Sequence, residues 1–323
     1  MSTARPEPET IQRRRPLRGV LDLLRGFLIG MAELVPGVSG GTVALVTGVY
    51  DELIDSAAHV LGAGRALLSG PDRLARARAE LARSDWWLLV PVLVGMVAAV
   101  FTMAGVMEAF VGDHPEHARG LFLGLVAASV AVPLLLLPAR GPARSPWVDG
   151  AWLVLGAAVA FVLTGLAGGR EIEDPHLLLV FLAAAVAICA LVVPGVSGSF
   201  FLLAVGLYAP TLAAVDARDL GYIAVFALGA AVGLGSFVQV LRYLLHHRRR
   251  TTLLVMAGLM IGSLRALWPW QEGQAEIDGE AKGAGALVLP YDPVGGPALL
   301  ALLGVVTVVV LILVERRAEA RAA

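Results

Sequence analysis

Residues 35–50 read VPGVSGGTVALVTGVY, and residues 193–208 read VPGVSGSFFLLAVGLY. Nine of the sixteen paired positions are identical, 158 residues apart. Each copy interrupts an apolar region, 19–54 in the first case and 177–215 in the second. Proline removes an amide donor and glycine frees the backbone, so a helix stops at each Val-Pro-Gly-Val-Ser-Gly. The arms 19–35 and 39–54 would each be about 25 Å long at 1.5 Å per residue, short of a hydrocarbon core of about 30 Å. The arms also carry Asp22, Arg25, Glu33 and Asp51. Both regions therefore read as re-entrant helical hairpins. The second is the more apolar, and its arms leave two full spans open as an alternative.

Outward from these breaks, the chain reads as a membrane protein. Apolar residues make up 58% of its 323 positions and charged residues only 16%, with a mean hydropathy of +0.78. A soluble domain of this length needs a more charged surface. Six segments are long and apolar enough to cross a bilayer: about 86–110, 119–138, 147–168, 221–245, 252–268 and 297–314. A net charge of −1 excludes nucleic acid as an expected partner, because no basic excess is present to neutralise phosphates along a duplex. The single cysteine, Cys189, lies in an apolar run and reads as a small buried hydrophobe, with no disulfide framework or thiolate cluster. Arginine supplies all the basic residues except Lys282. Arg13-Arg14-Arg15 precedes apolar sequence without a short apolar stretch and small-residue cleavage site, so no cleavable signal peptide is expected.

Loop charge sets an orientation. Arginines gather at 13–18, in the 55–85 linker, at 139–146, at 246–250 and in the 316–323 tail, whereas the intervening loops are acid-rich. With the first hairpin returning inside and the second outside, every arginine-rich loop is cytoplasmic. Two full spans in place of each hairpin leave the same loop sides. Both termini are then expected in the cytoplasm, with the chain in a bacterial inner membrane. The 55–85 linker mixes arginines with Leu61, Leu67, Leu68, Leu74 and Leu81, the pattern of short amphipathic helices lying on an anionic leaflet or of a solvated basic linker.

Similarity between the halves resumes downstream at an offset of 134: Gly95 faces Gly229, 122–125 faces 256–259, and Ser129 faces Ser263. The expected architecture is all-α and polytopic, with two inverted repeats, each a re-entrant hairpin plus three transmembrane helices. A cytoplasmic N-terminus covers 1–18. The first repeat covers 19–168, with hairpin 19–54, linker 55–85 and three spans. The second covers 169–315, with hairpin 177–215 and three spans, before the tail. Three crossings are odd, so the halves sit upside down relative to each other, the build of many secondary transporters with substrate held where the repeats meet. Paired glycines four apart, Gly26/Gly30, Gly120/Gly124, Gly229/Gly233 and Gly258/Gly262, read as close-packing stripes.

The tips carry the chemistry. A helix start after Gly-Val-Ser-Gly has amides without intrahelical partners and a partial positive charge, which suits phosphate or carboxylate. The candidate phosphate-binding residues are Gly37, Ser39, Gly40, Gly41 and Thr42 at the first tip, and Gly195, Ser197, Gly198 and Ser199 at the second. Ser39 and Ser197 either donate to an anion or cap buried helix starts. Arg265, late in its span, is added as a residue able to attract a lipid phosphate, the alternative being a side chain snorkelling to the interface. Arg242 reads as a cytoplasmic snorkel. An ionisable residue at depth is a functional candidate, so Glu33 is a coupling candidate, its alternative being hydrogen bonding to the tip's amides. Asp22 joins it, about 20° away around the helix, with Arg25 alongside. Gly37-Val38-Ser39-Gly40-Gly41 matches G-x-S-x-G, but that motif needs a preceding strand and a histidine in reach, and neither is suggested. A phosphate loop of Walker type lacks its lysine. The tip also resembles the loop of the undecaprenyl-pyrophosphate phosphatase family, with Gly40 or Gly198 where that family has an arginine. No cofactor or metal is expected; His114-Pro-Glu-His117 reads as a solvated loop.

Glu33-Leu-Val-Pro-Gly-Val-Ser-Gly-Gly, its second copy at 193–199, and Gly262-Ser-Leu-Arg-Ala-Leu-Trp-Pro-Trp270 together resemble the bacterial polyprenyl-phosphate transporter family, over about residues 17–315. The resemblance implies a carrier returning undecaprenyl phosphate, or a related polyprenyl phosphate, from the outer to the inner leaflet for reuse in envelope synthesis. It implies a polyprenyl-phosphate lipid as partner, with a proton, a sodium ion or nothing driving the cycle. A membrane polyprenyl-pyrophosphate phosphatase is the alternative.

Overall fold

The computed structural model describes residues 16–34, 39–68, 72–141, 145–166, 172, 175–273, 275–277, 280–282 and 285–322. Six of its helices are long and apolar enough to cross a membrane, at Trp86–Met103, Pro115–Leu135, Pro146–Gly165, Leu220–His247, Arg249–Leu267 and Gly295–Val314. The chain is a multi-pass membrane protein with mainly helical structure. Its outward surface is apolar to an extent water does not tolerate: Phe101 and Trp147 stand 85% and 86% exposed. Trp86, Trp87 and Trp147 sit at helix starts, where the amphipathic indole suits a membrane boundary.

Four helix pairs explain the glycine stripes. Helix α1 (Pro16–Glu33) runs along α5 (Trp86–Asp113), with Gly26 and Gly30 against the backbone of Val92 and Met96, and Gly95 against Leu23 and Phe27. Helix α9 (Leu177–Val192) meets α12 (Leu220–His247) in the same way, Gly229 and Gly233 lying on Phe181 and Ala185. Phe181 is 158 residues beyond Leu23 and Gly229 is 134 beyond Gly95, so the two pairs share one register. In the remaining pairs, α6 (Pro115–Ser129) uses Gly120 and Gly124 against Pro297 and Ala301 of α14 (Gly295–Ala322). Helix α13 (Arg249–Ser263) uses Gly258 and Gly262 against Leu153 and Ala157 of α8 (Pro146–Leu166). A Cβ at these glycines would collide with backbone, which nothing flexible relieves. The helices on which these pairs rest enclose one core of Ile29, Tyr50, Leu88, Leu241, Met256 and Val308.

Several expected boundaries move. The arm 39–54 is not one helix: α2 (Gly40–Val46) ends at Thr47, and α3 starts at Tyr50 and runs to Leu68, through the expected hairpin–linker boundary at 54/55. The second copy breaks identically into α10 (Gly198–Ala204) and α11 (Tyr208–Asp216). The cause is a helix stop with glycine in the left-handed region, Gly48 at φ 70° and Gly206 at φ 74°. The Val49 amide reaches back to the Ala44 carbonyl and Gly48 to Leu45; Leu207 reaches Leu202 and Gly206 reaches Leu203. These paired bonds satisfy the orphan carbonyls of a helix end. The expected span 119–138 stands as one, Pro115–Leu135, with a local change at Val130 from α6 to α7 (Ala131–Leu135), and α13 passes at the matching Leu264 into a 3-10 turn, Leu264–Leu267. Strands add a small correction to the all-α reading: Gln271–Glu272 pairs with Ala286–Leu287, and Ala275–Ile277 with Glu280–Lys282.

The linker is helical. Helix α4 (Arg73–Arg83) folds back on α3 through buried Ala63, Ala66 and Ala77, leaving Leu74 and its arginines outward. Ion pairs gather at this end of the molecule. Arg242 bonds Asp55 at 2.8 Å and stands 3.2 Å from His59, whose other ring nitrogen is 2.7 Å from Glu80. Arg249 pairs with Asp51 at 2.7 Å, and the buried Asp149 receives Arg140 at 3.0 Å and Arg250 at 2.8 Å. Arg242, read as a cytoplasmic snorkel, thus also links α12 to α3.

Candidate functional site

The two repeated motifs meet inside the molecule. Ser39 and Ser197 each hold extended backbone just before a seven-residue helix, at φ −118°, ψ 127° and φ −109°, ψ 128°. Neither hydroxyl caps the helix that follows. Ser39, only 3% exposed, instead donates from Oγ to the Val193 carbonyl at 3.4 Å. Thr42 Oγ1 accepts from the Gly195 amide at 3.2 Å, and the Tyr50 hydroxyl donates to the Val192 carbonyl at 3.1 Å. A Cβ on Gly41 would stand 2.7 Å from the Val192 carbonyl oxygen, so only glycine admits so close an approach. On the second tip Gly195 takes φ 83°, and a Cβ there would lie 2.5 Å from the Met260 amide nitrogen. The 192–195 backbone is therefore wedged between α2 and α13. Irregular backbone at membrane depth persists where protein groups satisfy it, and here each tip supplies groups to the other.

Glu33 ends α1 beside this seam. Its Oε1 accepts from the Gly40 amide at 2.7 Å, across the motif's turn, so a carboxylate occupies an amide expected to face an anion. The alternative role foreseen for Glu33, holding the tip's amides, is the arrangement observed. Asp22 lies at the other end of α1, fully buried and 2.8 Å from Arg25 Nη1. Asp22, Gly26, Gly30 and Glu33 form one stripe of the helix, with its two carboxylates separated by the glycine contact to α5.

Two spaces flank the seam. Ser197 and Gly195 border a cleft of about 20 Å³ with Thr164 and Ser263, room for about one water. On the opposite side, Thr42 borders a much larger apolar cavity of about 360 Å³ among α1, α2, α5, α6 and α14.

Ser39, Gly40, Gly41, Thr42, Glu33 and Gly195 thus come together, with Ser197 at the adjoining cleft. Gly198 is buried at the start of α10, where Ser199 follows it in the helix. Gly37 lies outside the described residues. The Arg265 guanidinium stacks over Phe161 at 4.7 Å and lies against Gly165 of α8. Its Nε is a buried nitrogen without a hydrogen-bond partner among the described residues. Tyr50, Met260 and the Val192 carbonyl were not foreseen. The signal for Tyr50 was present, since the repeat's sixteenth residue is tyrosine in both copies; nothing local marks Met260 as the floor under Gly195.

Residues 29–284 match the family described as undecaprenyl phosphate translocase-like. The polyprenyl-phosphate transporter of Vibrio cholerae is 34% identical over 255 residues, which cover 77% of each chain. The polyprenyl-phosphate transporter of Staphylococcus aureus is 27% identical over 265 residues, covering 77% of this chain and 86% of its own. No solved structure matches the chain. The match spans the α1–α2 seam, the second tip and the 3-10 turn bearing Arg265, and on it the chain belongs to the undecaprenyl phosphate translocase-like family.

Proposed function

We propose that the protein carries a polyprenyl phosphate, undecaprenyl phosphate or a near relative, between the leaflets of a bacterial inner membrane for reuse in envelope synthesis. The observation that carries this reading is the seam itself: two copies of one broken-helix motif, with Ser39 and Thr42 bonded across to Val193 and Gly195. A phosphate crossing hydrocarbon needs polar groups in place of its hydration, and the seam gathers hydroxyls and amides from both copies at the junction. The lipid's chain stays in apolar surroundings throughout. The contacts shared at offsets of 158 and 134 support a repeat, read here as two inverted halves, each with a re-entrant hairpin and three spans, and the arginine-rich loops support both termini in the cytoplasm.

The phosphate site in this reading comprises Gly37, Ser39, Gly40, Gly41 and Thr42 with Gly195, Ser197, Gly198 and Ser199. Arg265 acts at the outer boundary, its buried Nε having no hydrogen-bond partner among the described residues. Glu33 is the coupling group: its carboxylate must release the Gly40 amide before a phosphate oxygen takes that place, and protonation is one route to release. Asp22 and Arg25 extend the charged stripe toward the cytoplasm. No hydrolytic step belongs to this reading. Purified protein in liposomes, given labelled undecaprenyl phosphate and separately its pyrophosphate, tests it. Leaflet transfer without inorganic phosphate release is expected; phosphate release from the pyrophosphate refutes it in favour of a phosphatase.

A further inference from the structure

The cavity beside Thr42 has a feature the headgroup reading does not use. It is bounded by Met31, Met107, Phe110, Phe122, Val126 and Leu303, among other apolar side chains. Three hydroxyls on its wall have their donors already used. Thr47 donates to the Val43 carbonyl at 2.8 Å, Ser129 to Leu125 at 2.6 Å and Thr307 to Leu303 at 2.8 Å, each within its own helix. Thr42 is different, because its hydroxyl accepts from Gly195 on the seam while its side chain borders the cavity. The space is therefore mainly apolar, and Thr42 joins it to the seam. On its rim Leu303 is 53% exposed and Thr307 is exposed, so it opens sideways to the surroundings of α14.

We infer that this cavity holds the first isoprene units of the transported lipid, next to the phosphate, while the rest of the chain trails through the Leu303–Thr307 rim into the bilayer. The assignment rests on the carrier reading above and adds to it which part of the chain the protein reads. An engineered apolar cavity of about 150 Å³ accepts benzene and stays dry. By that scale about 360 Å³ takes roughly fourteen carbons, or about three isoprene units. The wall suits a methyl-branched, unsaturated chain: methionines fill irregular gaps, and two phenylalanines give faces for double bonds. A phospholipid, in contrast, carries two straight acyl chains on one glycerol, which the single space bordered by Thr42 would have to take together or part. Since the chain leaves one apolar medium for another, the gain comes from packing rather than from escape from water. The cavity therefore discriminates by shape near the phosphate and ignores total chain length.

Competition binding tests this with full-length protein in nanodiscs, labelled undecaprenyl phosphate, and unlabelled prenyl monophosphates of one to eleven units. Affinity is expected to rise several-fold with each unit up to about the third and then level. Val126→Phe, which fills the interior, and Leu303→Trp, which closes the rim, should each weaken long-chain competitors tenfold or more and leave the one-unit competitor within twofold. Leu302→Trp, exposed on α14 outside the cavity wall, should change nothing. Affinity that is flat across the series, or rises steadily to eleven units, overturns the tail site while leaving the carrier reading standing. Equal competition by phosphatidylglycerol overturns it too, as the cavity then takes any acyl chain. If undecaprenol competes as well as undecaprenyl phosphate, the headgroup reading falls and takes the tail site with it.

Discussion

Thr42→Val replaces one hydroxyl by a methyl at the centre of the seam. Thr42 is 3% exposed, and its Oγ1 accepts from the Gly195 amide at 3.2 Å. Valine keeps the shape and the branched Cβ, so the packing around it is preserved and only the hydroxyl is lost. The amide cannot turn elsewhere, because Gly195 at φ 83° is wedged against Met260 with no room even for a Cβ. A buried donor left without a partner costs about 1–3 kcal/mol. At about 1.4 kcal/mol per tenfold, the joined arrangement of the tips should lose roughly 5- to 150-fold in population relative to any state in which they part. Thr42→Ser keeps the hydroxyl and serves as the control. The assay pairs thermal unfolding in detergent with leaflet transfer of labelled undecaprenyl phosphate in proteoliposomes. The valine variant should melt earlier and transfer at a clearly different rate, with serine near wild type. Valine and serine variants that behave alike in both assays would refute the claim that this hydrogen bond holds the seam.

Three further outcomes are expected. Tags in the 55–85 linker and at the C-terminus should report cytoplasm and one at 273–283 the opposite side; a cytoplasmic report from 273–283 sinks the inverted arrangement. Glu33→Gln should flatten the pH dependence of transport more than it lowers abundance, and an unchanged profile with lost protein would return Glu33 to a purely structural role. Ser39→Val and Ser197→Val should each weaken lipid-phosphate binding severalfold, with the double change less than the sum because residues sharing one ligand couple; simple additivity would separate the two tips into independent sites.

Much of the architecture was legible because it is written in composition and small residues. Hydropathy found the six spans within a few residues of their ends, and the four glycine pairs each proved to be a helix contact. The break at Gly48 and Gly206 was missed for an identifiable reason. A lone glycine inside an apolar run reads as tolerated, and only the bonds Val49–Ala44 and Leu207–Leu202 reveal it as a helix stop. At the site, the motif named Ser39, Thr42 and Gly195 but not their partners. Thr42 and Gly195 are 153 residues apart, and no local pattern encodes a hydrogen bond across that distance. The contacts of Arg242 and Arg265 were illegible for the same reason. One meets Asp55 and His59 on α3 and the other Phe161 of α8, partners supplied by neighbouring helices.

The pairing of α6 with α14 bears on how the chain is made. The glycines of α6 at 120 and 124 wait for Pro297 and Ala301, in α14, which is synthesised some 170 residues later. At about 5–20 residues per second of translation, α6 spends roughly ten to thirty seconds in the membrane with that stripe unmatched. During this interval another small-residue surface, such as the Gly258 stripe of α13, is a rival partner for it. The membrane-embedded nascent chain is thus most exposed to mispairing and to quality-control proteolysis before α14 arrives. A ribosome stalling after residue 290 would leave behind a product with all its other spans inserted and its α6 seam open to a neighbour's.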